Sequence, residues 1–130
     1  MASVKKFEDL EIWQMARVLC HCIHDCYYNN VEFSKDYKLV NQINAASGSI
    51  MDNIAEGFER NGNRELINFL SIAKGSAGEV RSQLYRAYDR KYIDHTKFNE
   101  LCERVLGISS RLGSFMTYLK RSDFKGPKFS

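Results

Sequence analysis

LINFLSIAKGSAGEVRSQLYRA, Leu66–Ala87, is the stretch that decides how this chain folds. Its apolar and small residues fall at Leu66, Leu70, Ala73, Ala77, Val80, Leu84 and Ala87, in steps of 4, 3, 4, 3, 4 and 3. That spacing draws one stripe along a long helix at about 3.5 residues per turn. A stripe so narrow is sealed only when other helices lie beside it.

The rest of the chain supplies three such helices. The first is expected over residues 8–28, where Ile12, Ala16, Leu19, Ile23 and Cys26 step by 4 and 3 and Trp13 and Cys20 widen the face. Glu8, Asp9 and Glu11 sit in its first turn, where the helix dipole favours negative charge. The second spans 35–59 behind Ser34 as N-cap. Its stripe is Leu39, Ile43, Ala46, Ile50, Asn53 and Gly57, and the turn pair Asn61-Gly62 closes it. The quoted stretch belongs to a third helix over 63–90, capped by Asn63. The fourth covers 94–120, capped by Asp94, with Phe98, Leu101, Val105, Ile108, Leu112, Phe115 and Leu119 inward. Residues 121–130 are left as a basic tail.

The only proline is Pro127, so nothing earlier need break a helix. The short links make successive helices antiparallel. The expectation is an all-α, up-down-up-down four-helix bundle forming one domain over residues 1–130. With 44% hydrophobic and 12% aromatic residues, the chain is not disordered. It has no run of about 18 apolar residues for a membrane span and no signal-peptide core. A cytoplasmic protein with four reduced cysteines is expected.

Ala45-Ala46-Ser47-Gly48 in the second helix comes to the height of Gly75-Ser76-Ala77-Gly78 in the third. Small side chains let backbones approach closely, either inside one subunit or where part of the strip docks another.

Charge is divided unevenly. Residues 1–59 carry 5 Lys+Arg and 9 Asp+Glu, and residues 60–130 carry 14 and 7. A cationic second half suits a polyanion or an acidic surface on a neighbouring copy. Lys97, Arg104 and Arg111, seven apart, form a row beside the seam of the fourth helix. Lys74 and Arg81 do the same on the third, with Arg86 and Arg90 near its end and Lys120 and Arg121 at the start of the tail. Unpaired cations in a row can contact successive phosphates and release counterions.

No catalytic constellation stands out. The run Cys20-His21-Cys22-Ile23-His24-Asp25-Cys26 puts its cysteines and histidines on different sides of one helix, whereas zinc needs four convergent ligands. A di-iron bundle needs Glu-x-x-His pairs, and there are none. No Gly-x-Ser-x-Gly turn and no phosphate-binding loop occurs. Glu56 is placed to pair with Arg60 one turn on. Asn53, at a stripe position, is expected to fix register or oligomeric state through a buried amide. No enzyme activity, metal or cofactor is expected.

Residues Ser49–Phe58 read SIMDNIAEGF, and Arg64–Ser76 read RELINFLSIAKGS, followed by Glu79 and Gln83. With FEDLEIWQ over Phe7–Gln14, the chain resembles, over about residues 7–120, a bacterial family of four-helix-bundle proteins encoded in intervening sequences of large-subunit ribosomal RNA genes. Asn53, Glu56 and Gly57 match its first motif and Gly75, Ser76 and Glu79 its second; the matches are of a structural kind. The resemblance implies ring-like homopentamers. Related bundles are accessory factors of diversity-generating retroelements, where a basic pentamer binds nucleic acid and a reverse transcriptase. The expected function is therefore a homo-oligomeric, non-enzymatic protein binding RNA or DNA with little sequence preference. Its candidate phosphate contacts are Lys74, Arg81, Arg86, Arg90, Lys97, Arg104, Arg111, Lys120 and Arg121. The alternative is a scaffold ring that recruits protein alone.

Overall fold

The computed structural model describes residues 4–122. All regular structure among them is helical: a 3-10 turn at Phe7–Asp9, then α1 (Glu11–Tyr28), α2 (Val31–Lys35), α3 (Tyr37–Glu59), α4 (Asn63–Asp89) and α5 (His95–Ser122). The long helices α1, α3, α4 and α5 form the four-helix bundle. α4 lies between α3 and α5, and α1 closes the ring against the same two, which puts α1 and α4 at opposite corners. The core is filled from all four, with Leu19, Ile43, Ile50, Ile54, Leu66, Leu70, Leu84, Leu101 and Ile108 fully enclosed.

The stripe of α4 is buried at every expected position. Each enclosed leucine contributes about 1.5–3 kcal/mol. That outweighs the roughly 1 kcal/mol by which each interior glycine weakens a helix. α4 therefore carries Gly75 and Gly78 and still holds.

Several local expectations are corrected. The first helix begins at Glu11, because residues 7–9 wind into a 3-10 turn and Leu10 is extended. Ser34 does not cap the second long helix. It sits inside α2 and donates to the Val31 carbonyl at 2.7 Å. Asp36 is the cap, accepting from the Leu39 N–H at 3.2 Å. α2 itself is capped by Asn30 and drops Phe33 into the end of the core, stacked on Tyr92 at 5.0 Å. Asn63 is the first residue of α4, not its cap, and Gly62 precedes it at φ 121°. The buried Asn63 amide instead reaches the Leu119 carbonyl at 3.4 Å, tying the start of α4 to the end of α5. Asp94 caps α5, accepting from the Lys97 N–H at 2.8 Å. That helix runs two residues past its expected end, and the remainder of the basic tail, residues 123–130, lies outside the described residues.

Asn53 is half-buried, with Ile54 enclosed in its place. Its amide donates to the Ser49 carbonyl and hydroxyl at 2.8 and 2.9 Å, and Ser76 meets the same hydroxyl at 2.9 Å. The expected register-fixing amide is thus one end of a polar chain crossing from α3 to α4. The small-residue runs also behave differently from close packing within one subunit. Ala46, Ser47, Ser76 and Ala77 face inward, but a Cβ added to Gly48, Gly75 or Gly78 would meet nothing within 4 Å. The close approach of α3 and α4 is at Gly57, where a Cβ would lie 2.7 Å from Phe69 Cβ.

Two outcomes follow for stability. Gly57→Ala should destabilise by about 1–3 kcal/mol, because Phe69 Cβ is fixed to its own backbone. Gly48→Ala should stabilise by up to about 1 kcal/mol in the isolated subunit; denaturant unfolding of the two variants checks the opposite signs. Asp36 gathers the Leu39 N–H, the Tyr92 hydroxyl at 2.9 Å and Arg90 at 2.7 Å. The Tyr92 hydrogen bond, then those from Leu39 and Arg90, hold its carboxyl below the usual carboxylate range. Its contribution is complete above pH about 4 and is lost as pH falls through the depressed value. Asp36→Ala should cost about 1–2 kcal/mol at pH 7, and the difference from wild type should shrink in unfolding curves taken below pH about 4.

A candidate cationic groove between α4 and α5

Lys74 and Arg81 stand two turns apart on the flank of α4 that faces α5, about 10 Å along the axis. Opposite them α5 presents Ser109, Ser110, Gly113, Ser114 and Thr117, all small. Small residues on α5 leave an open groove of about 860 Å³, with Arg121 at one end. The Lys74 stem crosses at Gly113, where Lys74 Cε would be 3.6 Å from an added Cβ. Leu106 and Tyr118 complete the lining and are 47% and 55% exposed, so an apolar surface and a ring face are offered beside the cations. No carboxylate lines the groove.

The nine expected phosphate contacts divide into two sets. On the α1 side of α5, Lys97 pairs with Glu100 at 3.2 Å, Arg104 reaches the same Glu100 at 3.9 Å, and Arg111 pairs with Glu11. Arg90 pairs with Asp36 at 2.7 Å. Arg86 donates to the Gln42 side-chain oxygen at 2.7 Å. The row of three seven residues apart therefore has two carboxylates against it, Glu100 shared by Lys97 and Arg104 and Glu11 at Arg111. Lys74, Arg81, Lys120 and Arg121 have no ion-pair partner among the described residues, and three of these meet in the groove. Lys120 lies elsewhere, beside Arg64.

The motif residues divide as well. Gly57 and Ser76 are packed between α3 and α4, while Gly75 and Glu79 are exposed. Glu56 pairs with Arg60 at 2.8 Å, and Arg60 also reaches Glu65 at 3.6 Å. In the Cys/His run, His21 and His24 are exposed and the three cysteines half-buried. Among the described residues no three His, Cys, Asp or Glu side chains are grouped to hold a metal. Burial pushes the Cys20, Cys26 and Cys102 thiols up, which keeps them protonated and weakly nucleophilic. No described helix is long and apolar enough to cross a membrane.

Sequence reasoning missed the hydroxyls of α5 and the convergence of Arg121 with Lys74 and Arg81. The signal for the first was present: Ser110, Ser114, Thr117 and Arg121 step by 4, 3 and 4 along one face of the helix. The second depends on which flank of α4 faces α5.

A family model described as 23S rRNA-intervening sequence protein matches residues 8–114. Among solved structures, a protein of unknown function from the S23 ribosomal protein family of Bacteroides thetaiotaomicron is similar, with a TM-score of 0.75 and 23% identity. The match covers 81% of this chain and 97% of that one. No curated protein matches.

Proposed function

This chain belongs to the family of 23S rRNA-intervening sequence proteins, and from that premise we propose that it is a cytoplasmic, non-enzymatic accessory protein that self-associates and binds RNA or DNA through the α4–α5 groove. The observation that carries this is the groove itself: Lys74, Arg81 and Arg121 converge where no carboxylate faces them. A phosphate backbone laid along it gains charge-assisted contacts with these cations and releases counterions. Ser110 and Ser114 can donate to phosphate oxygens, and the exposed Tyr118 ring can stack on a base. Such contacts carry little base identity, so sequence preference is weak.

The paired cations contribute less. Lys97, Arg104, Arg111 and Arg90 would have to leave a carboxylate before meeting a phosphate, and that carboxylate would then repel it. For assembly we propose a homo-oligomer, with the five-membered ring implied by the family resemblance as the specific form.

Fluorescence anisotropy with structured RNA and with duplex DNA, titrated with salt, tests the groove. Replacing Lys74, Arg81 and Arg121 together by Ala should reduce the slope of log affinity against log salt by about 2–3. Replacing Lys97 and Arg104 together should change the slope by less than about 1. Affinity that is absent at about 50 mM salt, or independent of salt, would overturn the nucleic-acid reading. It would favour the scaffold, whose ring recruits a protein such as a reverse transcriptase.

A further inference from the structure

Three cations are strung along the α4–α5 groove and not gathered at one point. Lys74 crosses α5 at Gly113, which sets the register of the two antiparallel helices. From that crossing Arg81 lies seven residues along α4 in one direction, and Arg121 lies eight residues along α5 in the other. At about 1.5 Å per residue the track runs for about 22 Å, with a positive charge at each end and one near the middle. Both walls are unbroken helices, so the track is close to straight. The apolar groups lie on the same track. Leu106 stands across from Arg81, and Tyr118 stands one turn before Arg121. The half-buried Phe115 ring stacks beside Tyr118, centroids 6.4 Å apart, and the Tyr118 ring stays more than half exposed.

The other surfaces of α4 do not continue the track. The crest facing solvent carries Arg64, Ser71, Gly75, Gly78, Ser82 and Asp89, which are small in the middle and balanced in charge at the ends. The groove against α3, about 490 Å³, is lined by Glu79 and Gln83. The Gln83 side-chain oxygen is buried without a donor, and the cation of that groove, Arg86, already donates to Gln42. A carboxylate and a bare acceptor turn phosphate away.

We propose that the α4–α5 groove takes single-stranded nucleic acid, with phosphates on Arg81, Lys74 and Arg121 and unpaired bases against Tyr118 and Leu106. The inference rests on the nucleic-acid reading above and narrows it to one class of strand. Two constraints favour that class over a duplex. A duplex strand winds once about its axis in about 34 Å. Over about 22 Å of straight groove it turns away from the cations at one end, whereas a flexible single strand follows them. In a duplex the bases are paired and stacked on one another, so no base face is free for Tyr118 except at the ends. An unpaired base offers its face to an aromatic ring. Charge alone would choose the other way. Each phosphate neutralised adds about 0.9 to the salt slope for duplex DNA and about 0.7 for a single strand. A preference for the single strand therefore comes from shape and stacking. In a folded RNA the groove would hold loops and bulges, not stems.

Fluorescence anisotropy of the full chain at about 50 mM salt tests this with three probes of about 20 nucleotides per strand. They are a mixed-sequence DNA strand without self-pairing, the RNA strand of the same sequence, and the blunt duplex of the DNA strand with its complement. The tighter of the two single strands identifies the source, RNA or DNA, and should bind at least about ten-fold more tightly than the duplex. Tyr118→Ala should reduce the ratio of single-strand to duplex affinity about five-fold or more, with the single-strand salt slope unchanged because no phosphate contact is lost. Tyr118→Phe keeps the ring and should return the ratio to within about two-fold of wild type. A duplex bound as tightly as both single strands, or a ratio that Tyr118→Ala leaves in place, overturns the single-strand inference while the nucleic-acid reading stands. Absence of binding to all three probes overturns both.

Discussion

The narrow apolar stripe of α4 has to be covered from two sides, and the rest of the molecule follows from that. One neighbouring helix cannot enclose Leu66, Leu70, Ala73, Ala77, Val80, Leu84 and Ala87 together; α3 and α5 do so by lying on either flank. Once those three helices are placed, α1 has a single position left, against α3 and α5 and away from α4. The links are short because the helices alternate in direction. Their caps, Asp36 and Asp94, sit where the chain must turn. The Asp36 carboxylate does more than cap. By taking Tyr92 and Arg90 it ties the start of α3 to the end of α4, and Phe33 is clamped beneath Tyr92 in the same corner.

That arrangement leaves α4 with one flank toward α3, one toward α5 and a crest facing solvent. Each has a distinct chemistry. The α3 side is polar and closely joined, through Asn53, Ser49 and Ser76 and through the contact at Gly57. The α5 side is cationic and open, because α5 offers serine, threonine and glycine where a large side chain would have filled the space. The crest is small and balanced in charge. The functional conclusions come from these differences in what covers a side chain, not from any reactive group.

The sorting of cations shows the same physics. Lys97, Arg104 and Arg111 look in sequence like an ideal basic row, yet each has a carboxylate beside it, Glu100 for the first two and Glu11 for the third. Glu100 is near in sequence, and its pairing was there to be read from the spacing of three and four residues. Glu11 is a hundred residues from Arg111, and only the packing of α1 against α5 brings them together. Asn53 and Ser34 sit elsewhere than the sequence predicts for a related reason. A period of 3.5 does not decide between Asn53 and Ile54 at the edge of a stripe, and a short helix such as α2 is too brief to leave a periodic signal.

Sequence alone determined the class and count of the long helices, their alternating direction and most of the inward residues, Asn53, Cys26 and Phe115 being only half-buried, because a repeat of three and four leaves one face to bury and short links permit one topology. It determined the family as well, through the runs around Asn53–Gly57 and Gly75–Glu79. Only the tertiary structure decided which flank of each helix meets which neighbour. That decision set which cations keep a carboxylate beside them, which glycines touch another helix and which stand open, and that Gln83 holds a buried oxygen without a donor. These depend on contacts between residues far apart in the chain, and a local period carries no information about them.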